Sequence, residues 1–568
     1  MKKTFKQNKN SKESFRIIPL GGCEEVGRNM TVFEYKNDIV ILDMGLQFPE
    51  EDMPGVDYVI PNIEYLKGKE RNIQGVVFSH GHLDHIGAAP ILLKKLGNPP
   101  IIGRPLTIEM IKHRQEDISK GSSKNLKTIY VNNINDKIRL GNFNLSFFQV
   151  DHTIMDAMGT VIQTPLATVI HPGDWTIETQ PVKRNKIEYY HLSKLKRPTI
   201  LMLESLGAIN SKKPVTEEEM LNNLYHLIDS APGRLIIATF SSQLQRIKQI
   251  LEYASKIGKK VALDGFSIKL NVKIAKKLGY IKPEKGTIIP INKIKEYPDN
   301  KIIIICTGSQ GEEMSALTRI VSGNHRFISL KKDDTVVFSS SVIPGNERVI
   351  QKLKDNIYRL CDNVYYSEIM AVHISGHSNK ANIKEIIKQI QPDYFIPVYA
   401  NYFILKEAAK IAYSIGFPKN KVFVPENGSI FQFTPESGLK ILEEKAPTNY
   451  VFVDGLGVGD VGEIVLRDRK FLAKDGMFVI IAVVDSQTGR VKGSPDIISR
   501  GFVYLRESKE LLNETRKKTI AIINKSIGPK KKNINWVYIK NEVRNEIGQF
   551  LFYKTKRRPI VLPVIIEV

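Results

Sequence analysis

Cysteine is scarce: Cys23, Cys306 and Cys361 are the only three in 568 residues, too few and too scattered for a disulfide framework or a cysteine-based zinc site. That excludes the small disulfide-stapled class and fits a reducing compartment, so a cytoplasmic protein is expected. Any metal would have to be held by imidazole and carboxylate. Long apolar runs are missing too: stretches such as "IIII" at 302–305 fall far short of the ~20 residues of a bilayer span, and no membrane crossing is expected. The basic start "MKKTFKQNKNSKESFR" is not followed by the apolar stretch of a signal sequence, and residues 1–15 read as a solvated tail. Internal repeats and long low-complexity tracts are absent. Acidic residues are in deficit: 60 Asp and Glu against 83 Lys and Arg leave a formal charge of +23. That balance favours a polyanionic partner through counterion release, nucleic acid first, although lysine enrichment for solubility would give the same sum.

A chain of this length exceeds one hydrophobic core, so several domains are expected. Residues 16–214 alternate short apolar strands, among them "DIVILDMG", "QGVVFSH" and "ATVIHPGD", with turns and a few helices, an α/β pattern with histidines and acids at strand ends. From 215 to 360, helical "TEEEMLNNLYHLIDS" and "QLQRIKQILEYASKIG" alternate with strands "GRLIIATF", "NKIIIICTGS" and "DDTVVFSSS", which predicts a separate doubly wound parallel sheet. Residues 361–440 return to the first style, 441–449 read as a linker, and 450–568 form a small α+β segment with an amphipathic helix, a basic "GPKKKN" loop, a second helix and a terminal strand.

The stretch "SHGHLDHIGAAP" at 79–90 concentrates chemistry: His80, His82, Asp84 and His85 fall within six positions, in a chain with 11 histidines. Two imidazoles leaving a strand end, followed by a carboxylate and a third imidazole at a helix start, suit two adjacent divalent ions, with zinc favoured by the nitrogen ligands. Without a cation or dense hydrogen bonding, such crowding would cost desolvation and repulsion.

This His-x-His-x-Asp-His pattern resembles that of the metallo-β-lactamase fold, and the chain resembles ribonuclease J, of the β-CASP branch, over nearly its whole length. The likeness is carried by "LGGCEEVGRNM", "ILDMGLQFPEEDMPGVDYVIP", "HPGDW", "ATFSS", "CTGSQGEEMSALTRI", "FSSSVIPGNE", "HISGH", "VLRDRKFLAKDG" and the ending "KTKRRPIVLPVIIEV". The resemblance implies a metallo-β-lactamase αββα sandwich split by an inserted doubly wound β-CASP domain at 215–360, with a C-terminal domain after about 450. It implies two zinc ions: His80, His82 and His152 for one, Asp84 and His85 for the second, Asp174 bridging, and Asp43 orienting a ligand histidine from behind. It implies a phosphate pocket of Ser241, Ser242, Gln243, His373, Ile374, Ser375, Gly376 and His377 that prefers a 5′-monophosphorylated RNA end. Catalysis would fall to Asp84 or Asp174 as proton acceptor and to His377 as general acid. A structural calcium at Gly55, Asp57 and Asp454, and homodimers or homotetramers, are implied as well.

The chain departs from that pattern at Tyr399, which stands in "PVYANY" where the family has a histidine on the second metal. Direct coordination by the phenol, a water in its place, a weakly held second ion and a merely packing aromatic all remain open there. Glu204 in "ESLG" and "GFSI" at 265–268 also differ from the family's motifs. The expected activity is a zinc-dependent 5′ to 3′ exoribonuclease, with endonucleolytic cleavage as a second mode, in rRNA maturation and mRNA decay. The alternative is a catalytically weak RNA-binding or scaffolding paralogue paired with an active ribonuclease J. A small-molecule hydrolase on the same fold would leave the insert and the positive charge without a purpose.

Overall fold

The run "IIII" needs no polar alternation because both of its faces are covered. In the computed structural model, which describes residues 13–568 except 51, 178–186, 212–214, 344, 461, 504–507 and 527–533, strand Ile302–Cys306 lies inside a six-stranded sheet. The order is Ile288–Ile289, Lys260–Asp264, Ile302–Cys306, Leu235–Thr239, Thr335–Ser339, Asn363–Tyr365, and neighbouring strands are parallel. Ile303 and Ile305 pack with Leu224, Ile247 and Ile268 from helices on one face. Ile302 and Ile304 pack with Leu317, Ile320 and Leu353 on the other. Strand period two thus divides one apolar run between two cores. The insert extends beyond its expected end at 360, because Asn363–Tyr365 adds an edge strand too short to show a pattern in sequence.

Two further sheets form the expected sandwich. One has eight strands, in the order Gly438–Lys445, Ser429–Thr434, Phe15–Gly21, Met30–Tyr35, Asp38–Leu42, Ile73–Val77, Ile101–Gly103, Thr128–Tyr130. The other has six, Tyr394–Val398, Thr199–Glu204, Thr168–His171, Met158–Gln163, Phe143–Gln149, Lys137–Leu140. Phe15, Phe33 and Val40 from the first meet Phe147, Val161 and Leu201 from the second in one core, and helices Lys380–Ile390 and Tyr402–Ser414 add Ile383, Ile387 and Leu405 to it. The expected linker at 441–449 is corrected: its first residues continue strand Gly438–Lys445, paired along Ser429–Thr434.

Two compact units emerge, one of 1–47 and 60–450, the other of 48–59 and 451–568. Residues 48–59 were expected in the first domain but belong to the second unit, where Asp57 N donates to the Val453 carbonyl at 2.9 Å. In that unit, strand Met477–Val484 alternates inward and outward residues between Asp496–Arg500 and Ile560–Glu567. Helices Lys509–Ser526 and Trp536–Thr555 cover the inner side through Leu512, Ile523, Ile547 and Leu551. Of the expected tail 1–15, residues 1–12 lie outside the described residues, as does the "GPKKKN" loop; the tail ends earlier than expected, since Phe15 already opens strand Phe15–Gly21 and pairs with Tyr35.

Candidate metal centre

Carboxyl ends of strands supply most of the site. Asp43 follows Asp38–Leu42, His80 and His82 follow Ile73–Val77, His152 follows Phe143–Gln149, Asp174 follows Thr168–His171, and Tyr399 follows Tyr394–Val398. Asp84 and His85 sit in the short helix Leu83–Ile86. The loop after Asp38–Leu42 approaches this helix so closely that a Cβ on Gly45 would stand 1.5 Å from the Asp84 carbonyl oxygen, so the motif folds only with glycine there.

The fold gathers His80, His82, His152 and Asp174 into one cluster and Asp84, His85 and Asp174 into another, each with its ligand atoms within 4.8 Å of one another. Tautomers follow from the hydrogen bonds. Ser79 Oγ donates to Asp43 Oδ2 at 2.9 Å, so the contact with His80 Nδ1 at 3.0 Å must be donated by the imidazole. His152 Nδ1 lies 2.8 Å from the Gly376 carbonyl, which only accepts. In their neutral forms both rings therefore present a bare Nε2, and both bare nitrogens lie 3.0 Å from His82 Nδ1. Burial keeps them neutral: it pushes His80 well below the ordinary histidine range, His82 down to about 4 and His152 down to about 3. Converging lone pairs beside a carboxylate at 3.8 and 3.7 Å are what a divalent cation requires and what a folded core otherwise avoids. The donor set fits a metal.

His85 is held differently. Its Nδ1 lies 2.8 Å from Asp43 Oδ2, and its Nε2 faces Asp174 Oδ1 at 3.2 Å and Asp84 Oδ2 at 3.5 Å. Burial opposes its charge, but the three carboxylates outweigh burial and raise it well above the usual range. Asp43, also anchored by the Ser79 N–H at 2.8 Å, fixes the ring.

His377 completes the cluster, with Nδ1 3.5 Å from Glu204 Oε1 and 3.9 Å from Asp174 Oδ2. Burial works against its cation, but Glu204, Asp174 and Asp84 push it up to about 9. From the insert, Ser242 Oγ reaches His82 Nε2 at 3.0 Å, while Ser241 gives its carbonyl to Asn271 at 2.9 Å and Gln243 is buried just ahead of helix Leu244–Lys256. Ser375 Oγ accepts the His377 N–H at 3.2 Å. Gly376 is required where it is, since a Cβ would lie 2.5 Å from Thr153 and 2.9 Å from the His152 ring. His373 and Ile374 turn into the insert: Ile374 joins its core, and His373 Nδ1 accepts from Arg246 at 3.0 Å. Burial, then the Arg246 charge, hold His373 well below the histidine range.

Tyr399 packs on the second cluster, its ring 5.4 Å from His85 and 5.0 Å from His171, and its hydroxyl is buried without a hydrogen bond among the described residues. Burial first, then Asp43 and Asp174, raise it well above the usual phenol range. Sequence reasoning passed over His171 as a site residue. It is buried, its Nδ1 accepts the Gly173 N–H at 3.0 Å and its Nε2 has no partner among the described residues; its place three residues before Asp174 was the available signal. Asn29, whose side chain lies 3.0 Å from His85 Nε2, carried no such signal. In the second unit, Asp57 Oδ2 accepts the Gly455 N–H at 2.8 Å, while Arg469 pairs with Asp454 and donates to the Pro54 carbonyl at 3.2 Å. A guanidinium thus stands among the residues for which the resemblance implies calcium.

Three family models match the chain: "Metallo-beta-lactamase superfamily" over 24–180, "Ribonuclease J, beta-CASP domain" over 232–357 and "Ribonuclease J C-terminal domain" over 464–568. The chain is 36% identical over 553 residues to Ribonuclease J 1 of Streptococcus pyogenes serotype M3, covering 97% of each. It is 33% identical over 563 residues to Ribonuclease J2 of Bacillus subtilis, covering 99% of this chain and 100% of that one. Ribonuclease J 2 of Staphylococcus aureus is also 33% identical, with 99% of each chain covered. Among solved structures, a protein of unknown function from Enterococcus faecalis matches at a TM-score of 0.50 and 16% identity, over 73% of this chain and 99% of that one, a likeness of fold alone.

Proposed function

The chain belongs to the ribonuclease J family, and from that premise we propose that it is a zinc-dependent ribonuclease. It degrades RNA from 5′ to 3′, with internal cleavage as a second mode, in rRNA maturation and mRNA decay in the cytoplasm. The observation that carries this reading is the convergence of the His80 and His152 Nε2 atoms on His82 Nδ1 beside Asp174. His80, His82, His152 and Asp174 would hold one zinc ion, and Asp84, His85 and Asp174 a second. Such a pair supplies Lewis acidity that withdraws charge from a phosphodiester and makes water acidic enough to attack near neutral pH.

The chain's own groups do the rest. Asp84 and Asp174 stay ionised against burial, through the His85 charge in the metal-free chain and through the cations that would take its place, with His85 neutral, in the loaded site; either can take the proton of the attacking water. His377, kept charged by Glu204, turns Nδ1 to that carboxylate and has Nε2–H for the departing ribose oxygen. Ser241, Ser242, Gln243 and Ser375 line the approach for a 5′-phosphate, with His373 donating through Nε2 and Arg246, still charged with its value lowered by burial to about 10, adding positive potential behind it. Three free, buried cysteines and the absence of a helix long and apolar enough to cross a membrane among the described residues suit this setting. The C-terminal unit supports dimers or tetramers in this reading. A purely scaffolding role would have no use for so many ligands in register.

Purified protein, assayed with zinc content measured, should degrade 5′-monophosphorylated RNA processively and its 5′-triphosphorylated twin at least about tenfold more slowly, a difference of ~1.4 kcal/mol. Zinc-loaded protein that binds RNA but degrades neither form would refute the enzyme. For Tyr399, the expectation is that Tyr399→His raises zinc retained after dialysis from about one toward two ions per chain and raises the rate, since an imidazole replaces an un-ionised phenol beside His85. A fall in both would make the phenol itself the ligand.

A further inference from the structure

Helix Phe266–Lys277 of the insert has two working faces. One is fastened to the metal centre: Asn271 Nδ2 donates to the Ser241 carbonyl at 2.9 Å, and the next residue, Ser242, lies 3.0 Å from His82 Nε2. The other face carries Phe266, Lys269, Lys273 and Lys276, a spacing that puts four side chains in one row, ~15 Å long at the α-helical rise. Beside this row runs an open groove of about 550 Å³, floored by Leu263, Val272 and Ile288–Ile291 and edged by the three lysines. Among the described residues no carboxylate lines it. Lys269 is partly neutralised by Asp264 Oδ1 at 2.7 Å, but Lys273 and Lys276 enter no ion pair among the described residues. At the head of the row Phe266 is 74% exposed. A single exposed aromatic is ordinary; this one heads a row of cations at the carboxyl end of a strand in a parallel sheet, the edge where such sheets take ligands.

Resting on the ribonuclease reading, we propose that this face and its groove form a track for single-stranded RNA, with phosphates on Lys273 and Lys276 and a base stacked on Phe266. An apolar floor suits bases and a lysine edge suits the backbone, the combination by which single strands are held without sequence preference. The helix that carries the track is the one tied through Asn271 to Ser241, next to the residue that reaches His82. The track sets affinity for long strands and leaves chemistry on short ones untouched.

The test uses full-length zinc-loaded protein and phosphorothioate single-stranded RNAs of about 20 and about four nucleotides, with binding measured across salt concentrations. Lys273→Glu with Lys276→Glu should weaken binding of the longer RNA about tenfold or more and flatten the slope of log affinity against log salt by about 1.4, the share of two single-strand phosphates. Phe266→Ala should weaken it by about tenfold with the slope unchanged. Lys273→Arg with Lys276→Arg should bind as the parent does, and all variants should hydrolyse the unmodified short RNA at the parental rate. Unchanged affinity and slope in the charge-reversed protein overturn the track, and would be the result if the groove received an acidic protein segment instead. If the parent hydrolyses no RNA while the variants still lose affinity, the ribonuclease reading fails and the track stands.

Discussion

His80→Ala is expected to remove tightly held zinc and lower RNA hydrolysis by about three orders of magnitude or more, since metal chemistry contributes several kcal/mol to such reactions. The imidazole is buried, its Nε2 stands 3.0 Å from His82 Nδ1 and 3.8 Å from Asp174 Oδ2, and nothing nearby can replace it. The same change should leave the metal-free protein folded, because it relieves three neutral rings crowded without a cation. Zinc should therefore raise the melting temperature of the parent but hardly that of the variant, as binding to the native state alone requires. Metal content by mass spectrometry together with thermal melts with and without chelator makes the check. Full zinc occupancy in the variant, or equal stabilisation of both proteins, would remove the metal centre from the account.

His377→Gln is expected to slow hydrolysis by about 10²- to 10⁴-fold, the range for losing a general acid, with zinc content and RNA affinity close to the parent's. Glutamine keeps the volume and loses the proton. A substrate whose leaving group departs as a stabilised anion, such as a nitrophenyl phosphodiester, should therefore lose far less rate than RNA. Glu204→Gln should shift rates the same way to a smaller degree, because Glu204 Oε1, 3.5 Å from His377 Nδ1, sustains the cation. Equal losses on both substrates would show that His377 positions the phosphate and does not protonate the leaving group.

Much of the site was legible because its densest part is local. Four candidate ligands between His80 and His85 need only a strand end and one helical turn to come together. His152 and Asp174 carried no comparable signal and entered through resemblance; the fold joins them to the others by ending separate strands at one edge. The approach of Glu204 to His377 depends on two segments more than 170 residues apart, which no local pattern records. His373 was expected at the phosphate on motif grounds; only the fold shows that Arg246 takes its Nδ1, which leaves Nε2 as the nitrogen able to donate.

By itself the sequence determined the class of chemistry, the two-faced burial of the insert and the positive charge that favours RNA, because these follow from composition, local spacing and strand periodicity. Tertiary structure alone decided that 48–59 joins the C-terminal unit, that Asn363–Tyr365 and the residues up to Lys445 are strands, which imidazole nitrogens are bare, and that Tyr399 lies over His85 and His171. Those outcomes rest on hydrogen bonds and packing between residues distant in the chain. The free energy of such contacts exists only once the strands have come together.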